Sequence, residues 1–340
     1  MPVDTVDSVD SPTELPAVAE VTTPSGRKLG AGGWICAAWL VFMLLVAVFG
    51  PMLAASPITE DGRVIEACGD GKGLPIYDPL KCSDLTAKSA QRRTGSAEGE
   101  FRHLTGVDSS GRDVFSQVLF GTRTTLIIAV TSIFFATLIG GALGLTAGYV
   151  GGKTDLIISG FFDVMLAFPP LILALLIVNT YAAIPDDPVL AEQATARRVP
   201  GMIIALVVVA TPILGRITRA STLTWAGREF VTAARALGAK PLRIMIRDVL
   251  PNVAPALMSI ALLGVSVVIV TESGLALVGL GVPAGETVSW GSVVAAGAND
   301  FRAYAHLVFV PAIAIVLTNC AINFLGDALR QKFDVRESVL

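Results

Sequence analysis

The chain has 340 residues and a formal net charge of −3, and 53% of its residues are apolar while only 16% are charged. Soluble domains carry about 25% charged residues, and the mean hydropathy here is +0.68. These values exclude an ordinary soluble domain and predict a membrane protein. The small negative charge gives no indication of a nucleic-acid partner, which would favour a basic surface.

Residues 1–28 form an acidic stretch with four prolines and few bulky side chains. Such a segment buries too little apolar surface to offset its conformational entropy. We therefore expect a disordered cytoplasmic N-terminal tail, to which we assign no function.

Six apolar runs follow, each near the ~20 residues that a helix needs to cross about 30 Å of hydrocarbon. Helices are expected because lipid offers the backbone no hydrogen-bonding partner. No small-residue cleavage site follows the first run, so we interpret it as a retained helix rather than a signal peptide. The predicted fold class is all-α with six transmembrane helices, at about residues 34–54, 125–147, 158–180, 201–221, 254–280 and 305–325.

The distribution of Lys and Arg orients the chain, because these residues accumulate in short cytoplasmic loops. With the N-terminus inside, the cytoplasmic segments hold thirteen bases and the short external loops hold three. Both termini are therefore predicted to be cytoplasmic. In this division residues 29–124 hold the first helix and an extracytoplasmic insertion, 125–328 form the transmembrane core with a cytoplasmic loop at 222–252, and 329–340 form a cytoplasmic C-terminal tail.

The insertion contains Cys68 and Cys82, which an oxidising environment outside the membrane could close into a disulfide. Spacing alone does not fix the geometry, so two free thiols remain an alternative. A metal site is less favoured, because the two histidines of the chain, His103 and His306, are isolated.

The octet AGYVGGKT, residues 147–154, matches a relaxed phosphate-loop pattern. That pattern binds phosphate only when a strand precedes it and a helix follows it. Here an apolar helical run precedes it and another begins soon after. We therefore interpret the octet as a cytoplasmic turn in which Gly151 and Gly152 allow the reversal and Lys153 is a positive-inside residue.

The sequence REFVTAARALGAKPLRIMIRDVLPN, residues 228–252, predicts two short helices, with Gly238 ending the first and Pro241 beginning the second. Phe230, Ala233, Ala234 and Leu237 recur at helical spacing and predict an apolar face, with Arg235 and Lys240 in water. One interpretation is a basic amphipathic loop that lies on anionic lipid headgroups.

The same stretch resembles the cytoplasmic loop of binding-protein-dependent ABC importer permeases. The family pattern is Glu-Ala-Ala, three residues, Gly and, after a gap, Leu-Pro; here it is Thr232-Ala233-Ala234, Gly238 and Leu250-Pro251. Thr232 replaces the acidic residue, which leaves Glu229, one turn earlier, for an ion pair with an ATPase. Three further stretches resemble permeases of dipeptide and oligopeptide importers, at 103–126, 161–176 and 271–294.

The resemblance implies the type I ABC importer permease fold and a permease subunit in the cytoplasmic (inner) membrane of a prokaryote. The implied partners are a second homologous permease subunit, two ATPase subunits, an extracytoplasmic substrate-binding protein and membrane lipid. The ATPase subunits would bind ATP and Mg, so this chain would be no enzyme and would hold no cofactor or metal. The implied substrates are di- or oligopeptides, with nickel or another small solute as the alternative.

The resemblance also implies that the helix at 229–240 inserts into a groove of an ATPase subunit and couples the two. An ion-coupled secondary transporter is a further alternative. That class predicts inverted repeats, whereas the basic helical loop occurs once. The residues expected at the coupling contact are Glu229, Phe230, Thr232, Ala233, Ala234, Arg235, Gly238, Ala239, Lys240 and Pro251.

Polar side chains within the spans are costly in lipid and are often functional. Asp163, Glu272 and Asn323 are the candidates for the translocation pathway. For Asp163 we favour the alternative of an interfacial position or a pair with Lys153. Glu272 is expected in the interior, where it either pairs with a neighbouring helix or lines the pathway.

Small residues and prolines predict two further features of the spans. Gly140, Gly144 and Gly148 fall at four-residue spacing in the second span, which favours close approach of another helix. Pro169 and Pro170 predict a kink in the third span, because proline removes a helical hydrogen bond.

Overall fold

Helices make up most of the part of the chain that the computed structural model describes, which is residues 31–52, 58–60, 63–66, 76–80, 82–83, 104–181, 196–283 and 287–337. The helices are α1 (Ala31–Phe49), α2 (Val114–Val150), α3 (Gly152–Leu166), α4 (Pro170–Tyr181), α5 (Arg198–Ala226), α6 (Glu229–Ala236), α7 (Pro241–Ile244), α8 (Leu250–Leu275), α9 (Trp290–Ala298) and α10 (His306–Glu337). A short antiparallel hairpin, β1 (Ile58–Glu60) and β2 (Arg63–Glu66), lies in the insertion. The predicted disordered tail, 1–28, lies outside the described residues.

Five helical stretches in the described residues are long and apolar enough to cross a membrane. Helices α3 and α4 pass the same test together and give a sixth span if the bent pair counts as one. The prediction of an all-α membrane protein with six spans is therefore confirmed. The five stretches are Gly32–Phe49, Val114–Val150, Arg198–Ala226, Pro241–Leu280 and His306–Arg330.

The third span is broken rather than continuous. The sequence predicts one run at 158–180, whereas α3 and α4 meet at an angle of 86°. Pro170 occupies the first position of α4, where its missing N–H group costs no helical hydrogen bond. The predicted kink is thus confirmed, and it is sharp enough to separate two helices.

Helix α2 begins eleven residues before the predicted span at 125. Asp113 caps it, because the Ser116 N–H donates to Asp113 Oδ2 at 2.7 Å. With 37 residues the helix is about 55 Å long at a rise of 1.5 Å per residue, so it extends beyond the hydrocarbon layer. The boundary predicted between the insertion and the core, at 124/125, falls inside this helix.

The octet AGYVGGKT spans the junction between α2 and α3, and Gly151 is its one residue between the two helices. Gly151 has φ 67° and Gly152 has φ 58°, which are backbone conformations that favour glycine. Helix α2, not a strand, precedes the turn. The interpretation of this octet as an interhelical turn is confirmed.

Helices α2 and α5 pack closely along much of their length, as the three glycines predict. A Cβ atom added to Gly140 would lie 2.5 Å from the Thr211 carbonyl oxygen, and one added to Gly144 would lie 2.2 Å from the Gly215 carbonyl oxygen. A Cβ atom on Gly148 would lie 2.8 Å from the Arg219 carbonyl oxygen. The glycines therefore allow backbone contact that no larger residue permits.

The centre of the bundle is one apolar cluster that joins α2, α5, α8 and α9 and includes side chains from α1, α4 and α10. Its most deeply buried members have at most 1% of their surface exposed, and they include Ile128, Met202, Leu206, Ile269 and Trp290. This cluster holds the helices that carry the polar groups described below.

Candidate coupling surface and intramembrane polar groups

The segment 227–249 between α5 and α8, here called the projection, is a compact helical unit. Helix α6 ends in a Schellman motif, in which the Gly238 N–H donates to the Arg235 carbonyl and the Ala239 N–H donates to the Ala234 carbonyl. Gly238 has φ 78°, a conformation that glycine adopts without strain. The predicted helix end at Gly238 is therefore confirmed.

The projection has its own apolar core, which anchors it to the bundle. Val231 of α6, Ile244 of α7, Val249 and Val253 are fully buried and form one apolar cluster with Leu145 near the end of α2. The buried face of α6 is thus centred on Val231. The predicted face of Phe230, Ala233, Ala234 and Leu237 is therefore wrong as the buried face of α6. The side chains of α2 and α8 pack on a face that is rotated by about 100° around the helix axis, which is the rotation between successive residues.

Much of the remaining surface of the projection is uncovered. Thr232, Ala233, Arg235, Gly238 and Lys240 are exposed. Leu237 is 88% exposed and Leu242 is 62% exposed, so two large apolar side chains project from the same surface. We call this surface, formed by the exposed residues 232, 233, 236–238 and 240–242, the outer face.

The other residues predicted at the coupling contact lie around this surface. Glu229 and Phe230 are exposed at the start of α6, and Pro251 is exposed at the start of α8. Ala234 and Ala239 are half-buried and pack against the core of the projection. Sequence reasoning missed Leu242, although an apolar side chain among bases in a polar loop is a usable signal.

Two cation–π contacts tie the bases of the projection to neighbouring aromatic rings. The Arg235 guanidinium lies 5.2 Å from the centre of the Tyr149 ring, and that of Arg228 lies 5.4 Å from the Trp225 ring. Such contacts contribute about 0.5–1 kcal/mol each at exposed sites. They restrain α6 relative to the ends of α2 and α5.

Two ion pairs join α3 to α5. Arg219 donates through Nε and Nη2 to both carboxylate oxygens of Asp155, with 2.6 Å between Nη2 and Oδ2, and Ser159 donates to the same carboxylate. Asp163 lies 3.6 Å from Arg216 in a pair whose side chains are 62% and 58% exposed. Asp163 therefore pairs with Arg216 and not with Lys153.

Glu272 is buried, with 1% of its surface exposed, and joins α8 to α9. The Ser289 hydroxyl donates to Glu272 Oε1 at 2.6 Å. Ser289 is also the N-cap of α9, where it forms a capping box with Ser292. Of the two alternatives for Glu272, the structure supports pairing with a neighbouring helix.

The remaining predicted residues are placed as follows. Asn323 is exposed on α10. Cys82 is buried and disulfide-bonded, while Cys36 and Cys320 are free thiols. Cys68 lies outside the described residues, so its bridge to Cys82 stays a prediction. No group of three or more potential metal ligands occurs within the residues that were described.

Residues 140–336 match the family described as binding-protein-dependent transport system inner membrane component. The chain is 32% identical over 264 residues to the dipeptide transport system permease protein DppC of Alkalihalophilus pseudofirmus, covering 77% of this chain and 81% of that protein. It is 35% identical over 239 residues to the di/tripeptide transport system permease protein DppC of Pseudomonas aeruginosa, covering 69% and 73%. It is 32% identical over 232 residues to the glutathione transport system permease protein GsiD of Pectobacterium atrosepticum, covering 68% and 72%.

The fold is similar to that of a chain of the MetNI methionine ABC transporter in an inward-facing conformation. The TM-score is 0.52 at 21% identity, over 64% of this chain and 97% of that chain. This similarity confirms the predicted type I importer permease fold. The chain therefore belongs to the family of binding-protein-dependent transport system inner membrane components.

Proposed function

We propose that the chain is one of two permease subunits of an ATP-driven peptide importer, and that the projection couples it to separate ATPase subunits. The observation that carries the proposal is the contrast between the two faces of the projection. Val231 and Ile244 fix its inner side to the bundle, while Leu237 on the outer face is 88% exposed.

Docking of the outer face would cover apolar surface that is otherwise in water. Leu237 and Leu242 supply that surface, and Glu229, at the start of α6, supplies an exposed carboxylate. Burial of a leucine side chain contributes about 1.5–3 kcal/mol. Because the projection shares a core with α2 and α8, movement of a docked ATPase would also move these helices, and only such a state-dependent contact can shift an equilibrium between two conformations.

The proposed orientation places the projection and both termini in the cytoplasm. It rests on the thirteen bases of the cytoplasmic segments against three in the short external loops. On this orientation the ATPase subunits, with their ATP and Mg, lie on the side of the projection. The extracytoplasmic substrate-binding protein delivers substrate on the opposite side, and a second permease subunit completes the pathway.

The proposed substrates are di- or oligopeptides. The relatives reported above are named for dipeptides, di- and tripeptides and glutathione, which supports peptides over nickel or another small solute. In a strain that lacks this chain, uptake of labelled peptide should fall to background and be restored by the gene on a plasmid. Restoration of nickel uptake without peptide uptake would assign the substrate to the alternative.

The coupling role is tested by co-purification in mild detergent. We expect Leu237→Asp to lose the ATPase subunits that the wild-type chain retains, because it places a charge in the apolar contact. Leu104→Asp, the same change on a half-exposed leucine on the opposite predicted side, is the control. Equal retention of the ATPase by both variants, or peptide transport by this chain alone in vesicles, would contradict the proposal.

A further inference from the structure

A small pocket lies between the insertion, α2 and the segment before α9. Its volume is about 140 Å³. The residues that line it come from three separate parts of the chain and are Pro79, Leu80, Phe120, Arg123, Thr124, Thr287 and Val288. On the orientation proposed above, the pocket opens on the extracytoplasmic side.

The insertion forms a fixed wall of this pocket. The Tyr77 N–H donates to Ser116 Oγ of α2 at 2.9 Å, and the Ser83 hydroxyl donates to the Ser110 carbonyl at 2.5 Å. Tyr77 and the disulfide-bonded Cys82 are 4% and 1% exposed. These contacts hold Pro79 and Leu80, which lie between them, against the start of α2.

The opposite wall is fixed by polar contacts between α2 and the segment that leads into α9. The hydroxyl groups of Thr124 and Thr287 are 2.9 Å apart and share a hydrogen bond. Next to this contact, the Trp290 N–H donates to Thr125 Oγ1 at 3.0 Å, and the Trp290 indole donates to the Val118 carbonyl. The pocket is therefore built from segments that are each held in place.

The chemistry of the lining fits an acidic side chain. Arg123 is the charged residue among the seven, it is exposed, and it forms no ion pair with any of the described residues. Leu80, 42% exposed, offers apolar surface beside it. An unpaired guanidinium next to an apolar wall binds a carboxylate more strongly than one in open water, because the wall excludes solvent.

We propose that this pocket is a docking site for an acidic side chain of the extracytoplasmic substrate-binding protein, and that the insertion serves to complete it. The inference rests on the proposed function. A lipid headgroup is the less suitable occupant, because Pro79 and Leu80 belong to the insertion and not to a membrane helix. The role of the insertion is then to form one wall of the docking site.

The test uses the complete importer in lipid nanodiscs with its own binding protein loaded with peptide. The measurement is the concentration of binding protein that gives half-maximal stimulation of ATP hydrolysis. For Arg123→Glu we expect this concentration to rise at least about tenfold, with ATP hydrolysis in the absence of binding protein unchanged. Arg123→Lys should raise the half-maximal concentration less. Leu80→Asp should also raise it, because it places a negative charge in the wall that the insertion contributes to the pocket.

Arg302→Glu is the matched control, since Arg302 is exposed on the same predicted side but outside the pocket. An unchanged half-maximal concentration for Arg123→Glu, or an equal rise for Arg302→Glu, would overturn the inference. So would an effect of Arg123→Glu that occurs only in nanodiscs with anionic lipid, because the occupant would then be a headgroup. Failure of the binding protein to stimulate the wild-type importer would instead overturn the proposed function.

Discussion

The Ser289 hydroxyl donates a 2.6 Å hydrogen bond to Glu272 and so joins the start of α9 to α8. The Glu272 carboxylate also lies against Gly291, where an added Cβ atom would be 2.8 Å from Oε2. A carboxyl group at this position interacts favourably with the N–H groups at the start of a helix. The short helix α9 is thus held by a residue of another helix.

We expect Glu272→Ala to lower the free energy of unfolding by about 1–3 kcal/mol, because it removes one partner of a buried hydrogen bond. Thermal unfolding of the detergent-solubilised importer measures the effect. Thr271→Ala is the control, since the Thr271 hydroxyl donates to the Val267 carbonyl of its own helix and to no other helix among the described residues. Equal melting temperatures for the two variants would show that Glu272 does not hold α9.

Gly144→Ala should destabilise the α2–α5 contact by about 1–3 kcal/mol, the usual cost of overpacking. The new Cβ atom would lie 2.2 Å from the Gly215 carbonyl oxygen, which is backbone and cannot rotate away. Gly160→Ala makes the same change in α3, where a Cβ atom meets nothing within 4 Å. The melting temperature should fall for the first variant only, and a similar fall for both would argue against the close contact.

The two ion pairs between α3 and α5 should differ in their contribution to stability. Asp155→Asn disturbs a two-pronged pair that is only 22% and 32% exposed, so a loss of about 1.5–3 kcal/mol is expected. Asp163→Asn disturbs a longer, exposed pair, which in water is worth about 0–1 kcal/mol. Chemical unfolding of both variants checks the order. A larger loss for Asp163→Asn would mean that its pair is covered in the assembled importer.

Substitution of Gly238 tests conformation and charge separately. A side chain there would meet nothing within 4 Å, so the cost of substitution comes from φ 78° and is about 1–2 kcal/mol for most residues. Gly238→Asn should be tolerated, because Asn adopts this conformation, and Gly238→Val should reduce peptide uptake. If Gly238→Asp abolishes peptide uptake while Gly238→Asn retains it, the contact with the ATPase does not accommodate a negative charge. Equal uptake by all three variants would argue against docking at this turn.

The spans could be predicted because each depends on a local property, namely the length of an apolar run. The extension of α2 over 114–124 could not, since Ser116 and Gln117 are polar and their burial depends in part on contacts with Tyr77 and Asp108 outside the helix. The end of α6 at Gly238 was predictable from glycine alone. Its buried face was not, because Leu145, distant in sequence, decides that Val231 rather than Phe230 points inward.

In the candidate site, too, the local sequence predicts some features, while others depend on tertiary contacts. Charged residues within apolar runs identified Asp163 and Glu272, but their partners, Arg216 and Ser289, depend on how the helices cross. Opposite charges near the same predicted membrane side, in α3 and α5, could have indicated both ion pairs. Nothing in the sequence indicates that the insertion and Arg123 share a pocket, because that depends on a tertiary contact.

The unbroken length of α2 has a mechanical consequence. Arg123 borders the pocket near one end, and Tyr149 contacts Arg235 of the projection at the other. These residues are separated by about 39 Å along a single helix at 1.5 Å per residue. A helix of this kind behaves as a stiff rod, so a tilt imposed at one end reappears at the other with no signal passing through the substrate.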